Sequence, residues 1–152
     1  MATKKYEKLI TRKPLGKSKQ VEITAPTVTY KGDIGGKDLT FDWSCISKPF
    51  AMRGEPQAND FDQFLFFAGS NMDDFNDFQA EIELSLGKEG KKYIIAEPKF
   101  VYIPKGLIHG PLNFKRVDKP IAYMHFSLSP KLSKASAESD YAKFMAKPAI
   151  MT

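Results

Sequence analysis

The strongest constraint on this chain is a series of short apolar alternations between residues 39 and 128, each broken by glycine, proline or a charged turn. Ala80–Leu86 sets Ile82, Leu84 and Leu86 against Glu81, Glu83 and Ser85, the two-residue period of a strand with one covered face. Leu39–Ile46 places Phe41, Trp43 and Cys45 on one face and Asp42 and Ser44 on the other. Phe61–Gly69 is aromatic and extended, and Gly87-Lys88-Glu89-Gly90 signals a hairpin before the strand starting at Tyr93. Lys99–Ile103, Leu112–Val117 and Ile121–Leu128 follow. Helical spacing occurs only in Ser133–Ala146, through Ala137, Tyr141 and Phe144. Short strands with one terminal helix imply an all-β sandwich or barrel.

The sharpest turn signal is Pro104-Lys105-Gly106. Pro104 fixes its own φ and pushes Ile103 towards an extended conformation, whereas Gly106 can adopt the positive φ of a tight turn. His109 therefore opens the next extended segment, where an imidazole can bind a metal, move a proton or donate a hydrogen bond. The second histidine, His125, shares parity with Ile121, Tyr123 and Ser127. It either looks inward with them or is an outward or core histidine.

Other features exclude more than they assign. The net charge of +5 comes largely from lysines and arginines in the first twenty residues, and no basic face interleaved with aromatics marks a nucleic-acid reader. Cys45 is the only cysteine, so no internal disulfide forms; it reads as a small buried hydrophobe in a reducing cytoplasm. The N-terminal residues carry charge without the apolar core of a signal peptide, and no segment approaches a membrane span. The loop Asn71–Asp77 lacks the glycine and glutamate of a calcium loop and reads as solvated. Glu81 and Glu83 read as a wet strand face rather than an acid/base couple. Val21–Thr24 and Thr27–Tyr30 are β-favouring pieces, with a glycine-rich turn at residues 32–36.

Pro104-Lys105-Gly106-Leu107-Ile108-His109-Gly110-Pro111-Leu112-Asn113 resembles the second motif of the cupin superfamily, Pro-x-Gly followed by x-x-His and x-x-x-Asn. Counted back from Gly69, the first motif of that family falls on Gln57, Asn59 and Gln63, where its members carry two histidines and a glutamate. The spacing is kept and the ligand side chains are not. The resemblance implies a cupin-type jelly-roll β-barrel at residues 39–130; the lysine-rich start and the helical spacing add an N-terminal arm with edge strands at 1–38 and a short C-terminal helix within a tail at 131–152. The resemblance also implies a homodimer.

In metal-binding members of the family, the corresponding positions hold iron, manganese, zinc, nickel or copper. Here a divalent transition metal would rest on His109 with Gln57, Asn59 and Gln63, and neutral amides are weak ligands that supply no charge. No cofactor is therefore expected. Positions 57, 59 and 63 share parity, so where the segment is extended their amides point to one face. A small polar molecule is the expected ligand, with Phe61, Phe67 and Tyr102 shaping the walls and His125 a further candidate contact. The alternative is an enzyme: a metal-dependent oxygenase or isomerase, or a metal-free isomerase or lyase with His109 as the catalytic acid/base. No nucleic-acid or membrane partner is expected.

Overall fold

The computed structural model describes residues 5–10 and 13–130. A 3-10 turn at Glu7–Leu9 precedes ten strands: β1 (Leu15–Gly16), β2 (Thr27–Ile34), β3 (Lys37–Ile46), β4 (Phe50–Ala51), β5 (Gln63–Gly69), β6 (Ala80–Leu86), β7 (Lys91–Ile95), β8 (Lys99–Ile103), β9 (His109–Val117) and β10 (Ile121–Pro130). The expected C-terminal helix falls outside the described residues.

The strands form two antiparallel sheets, in the orders β1-β2-β3-β10-β5-β8 and β4-β9-β6-β7. The all-β expectation holds, and only its closure into a barrel is corrected, to two facing sheets: closure needs one continuous ladder, and among the described residues none joins the sheet edges. The core lies between them. Phe67, Ile46, Ile103 and Ile121 from one sheet meet Phe114, Ile82 and Leu84 from the other in one buried cluster. Phe114 meets Tyr123 edge-on across the gap at 5.8 Å, a favoured geometry for aromatic pairs.

The alternation of β6 is realised as expected: Ile82 and Leu84 face the core, while Glu83 on the outer face lies 3.5 Å from both Lys92 and Lys115. In β3 the faces fall less intuitively. Ser44 is 6% exposed and points inward, whereas Trp43 is 47% exposed.

Two expected segments differ. Val21–Thr24 is not a strand but a turn region, where the Ile23 N–H donates to the Gln20 carbonyl at 3.0 Å and Ile23 is buried. Pro26 has no N–H to extend a ladder there. The glycine-rich turn is also tighter than expected, because β2 runs on to Ile34 and Gly35-Gly36 alone joins it to β3. Consequently β3 starts at Lys37 and includes residues 38 and 39.

The turn before β9 forms as Pro104 and Gly106 require. The Leu107 N–H donates to the Pro104 carbonyl at 3.2 Å, and Gly106 has φ 85°, the conformation a type II turn needs at its third residue. The Gly106 N–H donates to the Asn59 carbonyl at 2.8 Å, and the Asp62 carboxylate accepts from the Lys105 N–H at 2.9 Å. These bonds tie the turn to the segment leading into β5. No helix among the described residues is long and apolar enough to cross a membrane.

Candidate functional site

A cavity of about 610 Å³ opens between the sheets, floored by the polar inner face of β2, β3 and β10 and rimmed by residues 52–55, Gln57 and the start of β9. Strand register assembles its floor. Thr29 stands opposite Asp42, and Asp42 opposite His125, so three side chains from three strands form one row. Opposed residues on one face lie close enough for their side chains to interact. The Thr29 hydroxyl donates to Asp42 Oδ1 at 2.6 Å, and His125 Nδ1 lies 3.8 Å from Asp42 Oδ2. The second distance is too long for a hydrogen bond and acts electrostatically.

The row continues into β5. Gln63 Nε2 lies 2.6 Å from His125 Nε2, and Asn59 Nδ2 donates to Gln63 Oε1 at 2.6 Å. One tautomer satisfies every member. With Gln63 Oε1 occupied by Asn59, Gln63 Nε2 donates to an unprotonated His125 Nε2, which puts the ring hydrogen on Nδ1, towards Asp42. The neighbouring His125 ring holds the Asp42 carboxyl below the usual carboxylate range, helped by the Thr29 hydroxyl and the charge of Lys31 and opposed by partial burial. Burial pushes the Tyr123 hydroxyl, also at the cavity wall, well above its ordinary range.

His109 reaches the cavity from the facing sheet. Its backbone exchanges two hydrogen bonds with Gln57, each 3.0 Å, and its Nδ1 lies 3.0 Å from the Leu107 carbonyl. A carbonyl only accepts, so Nδ1 carries the hydrogen and Nε2 is left with a lone pair for a ligand.

The sequence-predicted residues thus occupy different places. Gln63, His109 and His125 line the cavity together, and Gln57 lines it from an exposed position at the rim. Asn59 lies behind, supporting Gln63. Phe61, Phe67 and Tyr102 do not line it. Phe61 is half-buried, Phe67 is fully buried and stacks on Tyr123 at 5.2 Å, and Tyr102 lies on the opposite sheet face, stacked on Phe64 at 5.4 Å. The Tyr102 hydroxyl donates to Asp62 at 3.2 Å. Tyr102 neighbours the buried Ile103 on β8, and alternation turns it outward.

Asp42 and Thr29 join the site only through strand pairing. The polar face of Leu39–Ile46 was visible, but strand alternation defines two faces without saying which is covered.

The donor set does not fit a transition metal. Gln57, Asn59 and Gln63 are neutral amides, two of them already bonded to each other, and among the described residues no three His, Cys, Asp or Glu side chains are grouped to hold an ion. Cationic side chains do reach the mouth: Lys17, Lys19, Lys31 and Arg53 line it, with Arg53 held bidentate by Glu22 at 2.7 and 2.9 Å.

No family model and no curated protein matches this sequence. Among solved structures, the fold is similar to those of cupin proteins. An RmlC-like cupin with a double-stranded β-helix fold from Methanocaldococcus jannaschii is 12% identical, over 84% of this chain and 99% of that one, at a TM-score of 0.48. A putative mannose-6-phosphate isomerase from Ralstonia eutropha is 10% identical, over 73% and 93%, at 0.46. Hydroxypropylphosphonic acid epoxidase from S. wedmorenis, in complex with fosfomycin, is 10% identical over 76% of this chain, at 0.44; the chain spans 55% of that protein.

Proposed function

We propose that this cupin-type chain holds a small polar molecule between its two sheets, without a resident transition metal. The observation that carries the reading is the row of side chains from Gln63 through His125 to Asp42 and Thr29 on the cavity wall, backed by Asn59 and sharing the cavity with a His109 whose Nδ1 is taken by the Leu107 carbonyl. Such a wall presents donors and acceptors at fixed positions, so it suits a ligand carrying hydroxyl and carboxylate groups. The lysines at the mouth favour a negative charge on that ligand by attraction.

A second reading, a metal-free isomerase or lyase, is favoured by the His125–Asp42 pair. A carboxylate beside Nδ1 orients an imidazole and favours the tautomer with its hydrogen there, and His109 offers a second imidazole in the same cavity.

Isothermal titration calorimetry with a panel of small hydroxy acids, sugars and carbonyl compounds tests the binding reading. At least one compound is expected to bind, and His109→Ala is expected to weaken it about tenfold, equivalent to about 1.4 kcal/mol. Equal binding by His109→Ala would place the ligand elsewhere. Conversion of the bound compound, lost in His109→Ala while binding persists, would favour the enzyme instead.

A further inference from the structure

Among the described residues, β1 and β8 form the edges of one sheet, and β4 and β7 those of the other. An edge strand presents N–H and C=O groups that another strand can pair with, so natural sheets keep their edges short, charged or interrupted. Three of these edges follow that rule. β1 and β4 have two residues each, and β7 begins with Lys91 and Lys92. β8 does not: after Lys99 it runs Phe100-Val101-Tyr102-Ile103, with no proline and no further charge.

Exposure of the aromatic side chains also rises towards this edge. Phe64 and Phe66 on β5 are half-buried, whereas the residues opposite them on β8, Tyr102 and Phe100, are 37% and 64% exposed. Phe64 stacks on Tyr102 at 5.4 Å, and Phe66 lies 6.4 Å from Phe100 between ring centroids. β5 has a strand on both sides and β8 on one, so a further strand beside β8 would cover the open flanks of both rings.

The sequence of β8 is complementary to itself. An antiparallel pair with its two-fold axis at Val101 sets Phe100 against Tyr102 twice and Lys99 against Ile103 twice, so no like charges stand opposite one another. Beyond the ends of that ladder, Glu97 of each copy comes beside Lys105 of the other, an attraction of opposite charges. Pro98 falls against Pro104, so the pairing stops where the backbone lacks an N–H. A two-fold interface requires this kind of self-complementarity.

We propose that β8 pairs antiparallel with β8 of a second copy of this chain, about Val101, and joins the two six-stranded sheets into one. No residue of β8 lines the cavity, so the pairing is independent of what the cavity binds.

Sedimentation equilibrium of the full chain at micromolar concentration should give twice the 17.1 kDa of one copy. Phe100→Asp leaves an exposed position polar but brings two like charges to diagonal positions across the axis, and should weaken dimerisation about tenfold or more with the far-ultraviolet signature of the sheets retained. Cross-linking tests the register on a second set of variants. In a Cys45→Ser background, Val101→Cys should form an intermolecular disulfide with diamide, because the two copies of position 101 face each other. Lys99→Cys should not, because its two copies stand about 13 Å apart. A monomer at every concentration, as when residues 131–152 cover this edge within one chain, would overturn the proposal. So would a dimer that Phe100→Asp leaves unchanged, or one that cross-links through position 99 and not through 101.

Discussion

Gln63 bonds to His125 on a diagonal: the residue opposite Gln63 on β10 is Ser127, yet its side-chain Nε2 lies 2.6 Å from His125 Nε2. Diagonal neighbours on one face are within reach of long side chains. This contact joins the segment leading into β5 to the row of Thr29, Asp42 and His125, with hydrogen bonds running from Asn59 through Gln63 to His125.

Replacing Gln63 by leucine should therefore cost more than one bond. Gln63 is 9% exposed and satisfies both Asn59 and His125. Gln63→Leu is expected to destabilise the fold by about 1–3 kcal/mol, because two polar partners lose their bonds. Urea unfolding of both proteins at neutral pH measures it, and equal midpoints would show that the network contributes nothing.

Asp42 predicts an acid dependence. Its folded pKa lies below the ordinary 3.8, so its charged form stabilises the fold above that value, and the contribution disappears as pH falls through the folded pKa. The stability gap between the native chain and Asp42→Asn should be present at pH 6 and shrink below about pH 4. Chemical denaturation at a series of pH values would show this narrowing; a gap that stayed constant into acid would mean that the Asp42 charge is not what matters.

Gly69, at the end of β5, has no room for a side chain. Its N–H donates to the Phe75 carbonyl at 2.8 Å, and a Cβ there would lie 2.8 Å from that oxygen and run into the Asp77 carbonyl. Gly69→Ala is expected to destabilise by about 2 kcal/mol through backbone displacement, read as a fall in melting temperature. An unchanged melting temperature would indicate that the Asn71–Asp77 loop gives way freely.

Metal content follows from donor chemistry. The native chain, purified without chelator, should hold well under one equivalent of transition metal by elemental analysis. Gln57→His, Asn59→His and Gln63→Glu combined should gain binding, since stronger donors then stand at two positions lining the cavity with His109 and at Asn59 beside Gln63. Near-stoichiometric metal in the native chain would refute the metal-free reading, whereas a folded triple variant that binds none would show that these three positions do not converge.

Much of the fold was legible from the order of residues. Alternation in Ala80–Leu86 predicted both the strand and its covered face, because a glutamate stripe and an aliphatic stripe differ clearly in burial cost. Pro104 and Gly106 predicted the turn that delivers His109, because their backbone preferences are local. Val21–Thr24 misled for the opposite reason: β propensity there yields to the turn that buries Ile23.

The candidate site divides along the same line. Sequence alone marked His109, Gln57, Asn59 and Gln63, since a motif's spacing survives in one dimension. Only tertiary structure brought Asp42 and Thr29 to His125, set Asn59 behind Gln63, and turned Tyr102 away from the cavity. Strand register decides these neighbours, and register depends on pairing between segments as far apart as residues 42 and 125, which no local pattern encodes.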